Sequence, residues 1–168
     1  MDRLLLERPE DAYEAEMLLD LAFAPGRHTL PSYQLREGVE PIRELCLIAR
    51  DDYDVLVACI RYWPVKIGSE AWPALLLGPI AVHPVRQGEG LGAVLIAKTL
   101  DNATTQGWRR VILVGDEPYY NRFGFRRELA RGLDYPGPVN HARILAKELV
   151  EGSMNDVRGA VNSWNLDP

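Results

Sequence analysis

The chain is short of cysteine, of positive charge and of long apolar runs. Two cysteines in 168 residues, Cys46 and Cys59, are too few for a disulfide scaffold. Lys and Arg number 19 against 24 Asp and Glu, giving a formal net charge of −5. Phosphate backbones select basic partners, so no nucleic acid is expected to bind. The longest apolar run, about residues 71–82, is broken by Pro73, Gly78 and Pro79. A membrane helix needs roughly 20 such residues, so no membrane partner is expected. After Met1-Asp2-Arg3 only three leucines follow, too few for a signal-peptide core, and a cytoplasmic location is expected. No repeat, low-complexity tract or linker divides the chain, so one domain over residues 1–168 is expected. What is present is ordinary globular composition, 47% hydrophobic and 26% charged, at a length that can bury a sizeable core.

Local patterns predict alternating strands and helices. Leu4-Leu5-Leu6 reads as a first strand. Arg8-Pro9-Glu10-Asp11 reads as a helix start, with proline early and acids near the positive end of the helix dipole. Tyr13, Met17 and Leu21 recur every four residues and predict an apolar stripe up to about Phe23, with Pro25-Gly26 as the stop. Residues 27–41 read as a loop with a short helix. Strands are expected at 45–49 and 55–63, joined by a hairpin through Asp51-Asp52-Tyr53-Asp54. A symmetric turn there sets Cys46 opposite Cys59. A disulfide is open on paper, and two buried, reduced thiols are the expectation.

Residues 75–82 carry the most information. They are apolar without alternation, the pattern of a strand buried on both faces. Yet Gly78-Pro79 sits within them, and proline cannot donate to a ladder, so the strand should be bulged or unpaired on one side. Backbone groups freed in this way are available to a ligand. A turn with Gly88, Gly90 and Gly92 follows, then a helix over about 91–106 with Gly107 as its C-cap. Strand, glycine turn and helix together read either as a tight turn that packs the helix on the sheet or as an anion site. Three glycines in five residues favour the second: glycine lets N–H groups converge, and the helix end adds partial positive charge. Arg86 stands beside it.

The spacing is not that of a Walker A loop, because no Lys-Ser/Thr pair follows. A dinucleotide-binding turn is the nearer rival, since Gly88-x-Gly90-x-Gly92 resembles its start and Asp116 ends the next strand. That reading implies a Rossmann-type NAD-dependent oxidoreductase. It needs further βαβ units, however, and the chain after strand 109–114 is too short for them. Beyond that strand come a short helix over 116–120 closed by Phe123-Gly124-Phe125, a turn at Tyr135-Pro136-Gly137-Pro138 and a strand near 144–149. The tail past Glu151 reads as a loop, a short helix or both.

Three segments together resemble one family. Gln87-x-x-Gly90-x-Gly92 is similar to the pyrophosphate loop of GNAT N-acetyltransferases. Leu77 to Pro84 resembles that superfamily's fourth strand, and Tyr119-Tyr120-Asn121-Arg122-Phe123-Gly124-Phe125 its Tyr-x-x-x-Gly-Phe segment. The flow is most similar to the YhbS-like group of predicted bacterial acetyltransferases. The resemblance implies an α/β fold of mixed α+β type: a central, mostly antiparallel sheet, splayed between strands 4 and 5 and flanked by helices. It implies acetyl-CoA as co-substrate, no metal, and direct transfer of acetyl to a primary amine of a small molecule or protein. Backbone groups of Ile80, Ala81 and Val82 would bond the pantetheine arm. Gln87, Gly88, Glu89, Gly90, Leu91, Gly92 and Ala93 would hold the pyrophosphate, with Asn121 also on the cofactor. Tyr120 matches the general acid, Tyr119 being the second choice. Glu37, Glu70, His28 and Asp116 are candidate bases, with deprotonation through water as the alternative. His83, beside Pro84, reads as structural. Residues 24–41 and 135–141 would shape the acceptor site; there Arg27, His28, Tyr33 and Arg36 either meet an acidic or polar acceptor or form a solvated surface. Arg122, Arg126, Arg127 and Arg131 either meet the 3′-phosphate or are plain surface arginines. The family often forms homodimers, on which the sequence is silent. A non-catalytic acyl-CoA sensor would use the same pocket and need no Tyr120.

Overall fold

A computed structural model describes residues 1–23 and 26–165. Its sheet is built from β1 (Arg3–Leu6), β2 (Leu47–Arg50), β3 (Leu56–Ile67), β4 (Trp72–Val82), β5 (Arg110–Val114), β6 (Leu133–Asp134), β7 (Ile144–Glu148) and β8 (Gly159–Ser163). The main path runs β1-β2-β3-β4-β5-β7, antiparallel throughout except for the parallel pair β4/β5. β8 adds to the far half of β3 through Val65–Ile67 and pairs with β6. A doubly wound Rossmann sheet is parallel, and this one is not.

Helices cover both faces. α3 (Leu91–Thr105) buries Leu91, Leu95, Ile96, Leu100 and Ala103 against Leu47, Ala58, Ile60, Tyr62, Leu75 and Val111. The opposite face carries α1 (Ala12–Ala22), whose Ala15, Leu18 and Leu19 pack on Ile48, Leu56, Cys59 and Ala81. Beside α1, Leu35 of α2 (Pro31–Arg36) joins Val65, Ile67, Leu76, Ile112, Tyr135 and Ile144. A short α4 (Glu117–Tyr120) follows β5.

Two expectations are corrected. Tyr13, Met17 and Leu21 do not face the sheet; they are 76%, 55% and 57% exposed. The stripe packed on the sheet is instead Ala15, Leu18, Leu19 and Ala22, and the acids beside it and at the helix entry meet arginines of the sheet. Arg50 bonds Asp11 at 2.7 Å and Glu14 at 2.9 Å, and Arg61 bonds Glu16 at 2.7 Å as well as Glu7 at 2.9 Å. Cys46 and Cys59 are also not opposite one another. Cys59 faces Ile48, because the β2/β3 register shifts between Ala49 and Arg50 and the turn is asymmetric, with Asp51 accepting from the Tyr53 and Val55 N–H groups. Both thiols are free and buried, and burial pushes Cys46 up to about 11 and Cys59 to about 12. Of the expected helix stop, Pro25 lies outside the described residues, while Gly26 adopts a left-handed conformation. The tail past Glu151 contributes a strand, β8.

Candidate functional site: a gap between two parallel strands

β4 and β5 pair only at Leu75↔Val111 and Leu76↔Ile112. Beyond them β5 stays with β7 to Val114↔Ile144, while β4 stays with β3 to Val82↔Ala58. The two strands therefore part at Leu77 and Leu113. The Gly78-Pro79 break lies at this point: the β3/β4 register shifts between Ile60 and Tyr62, so that Gly78 and Pro79 both oppose Arg61, a bulge. The Gly78-Pro79 peptide is cis.

Past the bulge, antiparallel alternation decides which backbone groups are free. His83 N–H donates to Val57 O at 2.8 Å, and 57 and 83 continue the register of Ala58↔Val82. Hydrogen-bonded pairs alternate along such a ladder, so Ala81 exchanges its bonds with Cys59. Ile80 and Val82 then turn their N–H and C=O toward the gap. Of the three residues expected to offer backbone to a ligand, Ala81 is thus removed. Its side chain also faces α1 rather than the gap. Gln87 Nε2 reaches Val82 O at 3.4 Å, which confirms the direction of that carbonyl.

The glycine turn closes one end of the gap. Gly88 and Gly90 have φ of +87° and +88°, and a Cβ at either would meet nothing within 4 Å, so their amides border open space. Gly90 is the N-cap of α3 with no side-chain cap, leaving first-turn N–H groups unclaimed. Gly92 faces inward, where a Cβ would lie 3.6 Å from Val82 Cγ2 and 3.7 Å from Tyr119 Oη. Leu91 is a core residue of α3, and Ala93 is half-buried. Arg86 is not free to serve an anion here. It bonds Asp2 at 2.6 Å and Glu89 at 2.9 Å, which also holds the Glu89 carboxylate to one side. His83 Nδ1 accepts from Val85 N–H at 3.3 Å, a turn role.

Tyr119 and Tyr120 meet edge to face at 4.9 Å, and Tyr120 packs on Phe125 at 6.1 Å. Gly115 makes room for the Tyr120 ring, since a Cβ there would collide with it. Burial, then Tyr119 and Asp116 nearby, raise the Tyr120 hydroxyl above the usual tyrosine value, so it stays protonated at neutral pH. Asn121 is exposed at the end of α4, outside the cavity lining.

A cavity of about 600 Å³ occupies the gap and continues toward α2. Residues 76–80 form one lip, 113–116 the other, with Tyr119 and Tyr120 at the mouth; Arg36, Tyr135 and Arg143 close the far side. A second cavity of about 510 Å³ adjoins it past Arg36 and Pro79, bordered by His28 and Glu37. Arg27 is braced rather than free, by Glu16, by Asp20 at 3.0 Å and by the Tyr33 hydroxyl at 2.5 Å. Glu70 lies in the turn at the opposite end of β4, on the order of 30 Å from Ile80 at ~3.3 Å per residue, and is removed as a base candidate. Asp116 is at the rim, 3.3 Å from Arg143. Arg143 was not singled out by the sequence; it follows the expected loop and carries no motif. Among the described residues no group of three His, Cys, Asp or Glu could hold a metal, and no helix is long and apolar enough to cross a membrane.

Known proteins share this arrangement. Residues 43–127 match the model of the acetyltransferase (GNAT) domain. The uncharacterized N-acetyltransferase YhbS of Escherichia coli K12 is 28% identical over 156 residues, 93% of this chain and 92% of that protein. The crystal structure of Escherichia coli YhbS in complex with CoA superposes with a TM-score of 0.83 at 26% identity, covering 96% of this chain and 89% of the other. A GNAT family acetyltransferase from Brucella melitensis, in complex with acetyl-CoA, gives 0.71 at 28% identity over 96% and 95%. A family match over half the chain, which includes both the parting strands and the glycine turn, places the protein in the GNAT acetyltransferase family.

Proposed function

We propose that the protein is an N-acetyltransferase that moves the acetyl group of acetyl-CoA to a primary amine by direct transfer, acting as one domain. The observation that carries this reading is the pair of unpaired backbone segments, Ile80 and Val82, facing a gap beside an uncapped helix N-terminus. A chain with peptide-like amides fits there as an added strand, and its pyrophosphate fits the open amides of residues 87–93. The two structural relatives named above hold CoA and acetyl-CoA, which supports the same assignment. Acetyl-CoA supplies an activated thioester.

The residues of the chain do the rest. The Ile80 N–H, turned into the gap, can donate to negative charge developing on the acyl oxygen; a preorganised donor in a site shielded from water is worth far more than one in bulk water. Tyr120, held protonated by burial, can give its proton to the leaving sulfur. Gly115 and Phe125 fix its ring. The amine must arrive neutral. Asp116 borders the first cavity, His28 and Glu37 the second, and water between them can carry the proton out.

The test is release of free thiol from acetyl-CoA in the presence of an amine panel, with melting in acetyl-CoA, CoA and NAD alongside. Acetyl-CoA at 100 times its Kd should add about 2.7 kcal/mol, or roughly 5–10 °C, and NAD nothing. Amine-dependent thiol release supports an enzyme. Binding with no turnover on any amine would leave only a sensor.

A further inference from the structure

The buried and half-buried arginines among the described residues are matched with acids, with two departures. Arg27, Arg50 and Arg61 each clasp two carboxylates. Arg110 has none among the described residues, but donates to the carbonyls of Ser153 at 2.9 Å and Pro73 at 2.6 Å. Arg36 has neither. Among the described residues it meets no carboxylate, and its one hydrogen bond is a long one, Nη2 to Ser32 Oγ at 3.4 Å. Its guanidinium lies over the Tyr33 ring at 4.3 Å and 6.0 Å from the centre of Trp63. Burial pulls its pKa below the usual arginine value, yet a guanidinium stays charged in proteins. A partly desolvated cation without a counter-ion is costly, and a fold keeps one where something else supplies the charge.

The orphaned atoms sit on neighbouring side chains. Three buried side-chain polar atoms lack a hydrogen-bond partner among the described residues: Arg36 Nε, Trp63 Nε1 and Tyr135 Oη. Burial raises the pKa of the Tyr135 hydroxyl; Ser32 lies close enough to lower it in part, but outside full hydrogen-bond geometry. Arg36 and Tyr135 line the cavity in the strand gap, and Trp63 borders the adjoining one. The guanidinium and indole groups can only donate, and the phenol can donate, so the missing partner is an acceptor. The place is close to the proposed chemistry. Arg36 Nη2 sits above Gly78, where a Cβ would come within 3.9 Å, two residues from Ile80. Arg27 and Arg143, which share the cavity, already have acids.

We propose that Arg36, with the Tyr135 hydroxyl beside it, binds a carboxylate on the acceptor, so that the acetylated amine belongs to a compact, amino-acid-sized molecule. This rests on the acetyltransferase reading and names the substrate class of the same site. The guanidinium edge left open by stacking on Tyr33 suits the fork-to-fork geometry of a carboxylate. The cavity must also hold the acyl end of the donor, which leaves room for a small acceptor.

The experiment compares free L-amino acids with their own carboxamides and decarboxylated amines, in thiol release at saturating acetyl-CoA, for the wild type, Arg36→Gln and Tyr135→Phe. A charge-assisted contact of this kind is worth roughly 10- to 100-fold, so wild type should prefer an acid over its amide by that factor in kcat/KM. Arg36→Gln should abolish the preference by raising KM for the acid, with kcat little changed. Tyr135→Phe removes only an unpaired hydroxyl, so its stability should hold while KM for the acid rises by a smaller factor. It keeps the test open should Arg36→Gln fold poorly. Equal kcat/KM for acids and amides, or an intact preference in Arg36→Gln, overturns the proposal, as does acetyl-CoA binding with turnover only of amines that lack an acid. Those outcomes leave the acetyltransferase reading standing. Absence of any acetyl-CoA melting shift in the wild type overturns both.

Discussion

The two halves of β4 are one strand with opposite fates. Residues 74–77 are buried, paired with β3 on one side and, at Leu75 and Leu76, with β5 on the other. Residues 80–82, past the bulge, keep β3 and lose β5. The first half holds the sheet together, and the second is a half-made ladder whose open edge awaits a partner. One bulge separates them, so stability and ligand binding should separate along the strand.

The largest effect should come from the mouth of the open half. Tyr120→Phe removes the proposed proton donor and should lower kcat by about 10²- to 10⁴-fold, the range of general acid catalysis. The acetyl-CoA melting shift should be unchanged; equal activity in the variant would remove Tyr120 from the mechanism. In the closed half, Leu75→Ala empties a fully buried site beneath α3 and should cost about 2–5 kcal/mol in urea unfolding. Acetyl-CoA should still bind, and loss of binding in proportion to stability would break the division. Gly90→Ala places a Cβ at a φ of +88°, costing about 1–2 kcal/mol, and points it where the pyrophosphate is proposed to sit. It should weaken acetyl-CoA by more than it weakens the fold. The smallest effect lies away from β4. Burial alone would raise the Asp11 pKa, but the Arg8 N–H and the Arg50 guanidinium outweigh it and hold the net value below the ordinary 3.8. Asp11 therefore stabilises the fold above that value, and its contribution fades as pH falls through the lower, folded value. Urea midpoints against pH should fall less steeply below about pH 4 in Asp11→Asn than in wild type.

The open half was legible because its signals are local. A Gly-Pro inside a run without alternation is out of place in an ordinary central strand, and three glycines before a helix point to an anion-binding turn. Which backbone groups are free was not legible, since that depends on register; the bulge at Gly78-Pro79 sets the phase that sends Ala81 to Cys59. α1 was misread for a related reason. Two apolar sets share the helix, and the one packed on the sheet is Ala15, Leu18, Leu19 and Ala22, flanked by the acids that meet Arg50 and Arg61; the larger side chains of Tyr13, Met17 and Leu21 point the wrong way. β8 pairs only three residues with β3, and its tight crossing, where Gly68 N–H donates to Ala160 O at 2.8 Å, joins positions some ninety residues apart. Nothing local announces such a pairing. Arg36 was legible as one of four residues that could meet an acceptor, with nothing to set it apart from Arg27, His28 and Tyr33. Its lack of a partner is a property of the folded chain.

The most direct measurement is residue-resolved amide hydrogen exchange along β4, with and without saturating acetyl-CoA. In the free protein the Ala81 amide should exchange slowly and those of Ile80 and Val82 fast. Acetyl-CoA should slow Ile80 and Val82 and leave Ala81 as it was. Unchanged, fast exchange at both positions while acetyl-CoA is bound would contradict the account, because the ligand would then lie somewhere other than the open edge of β4.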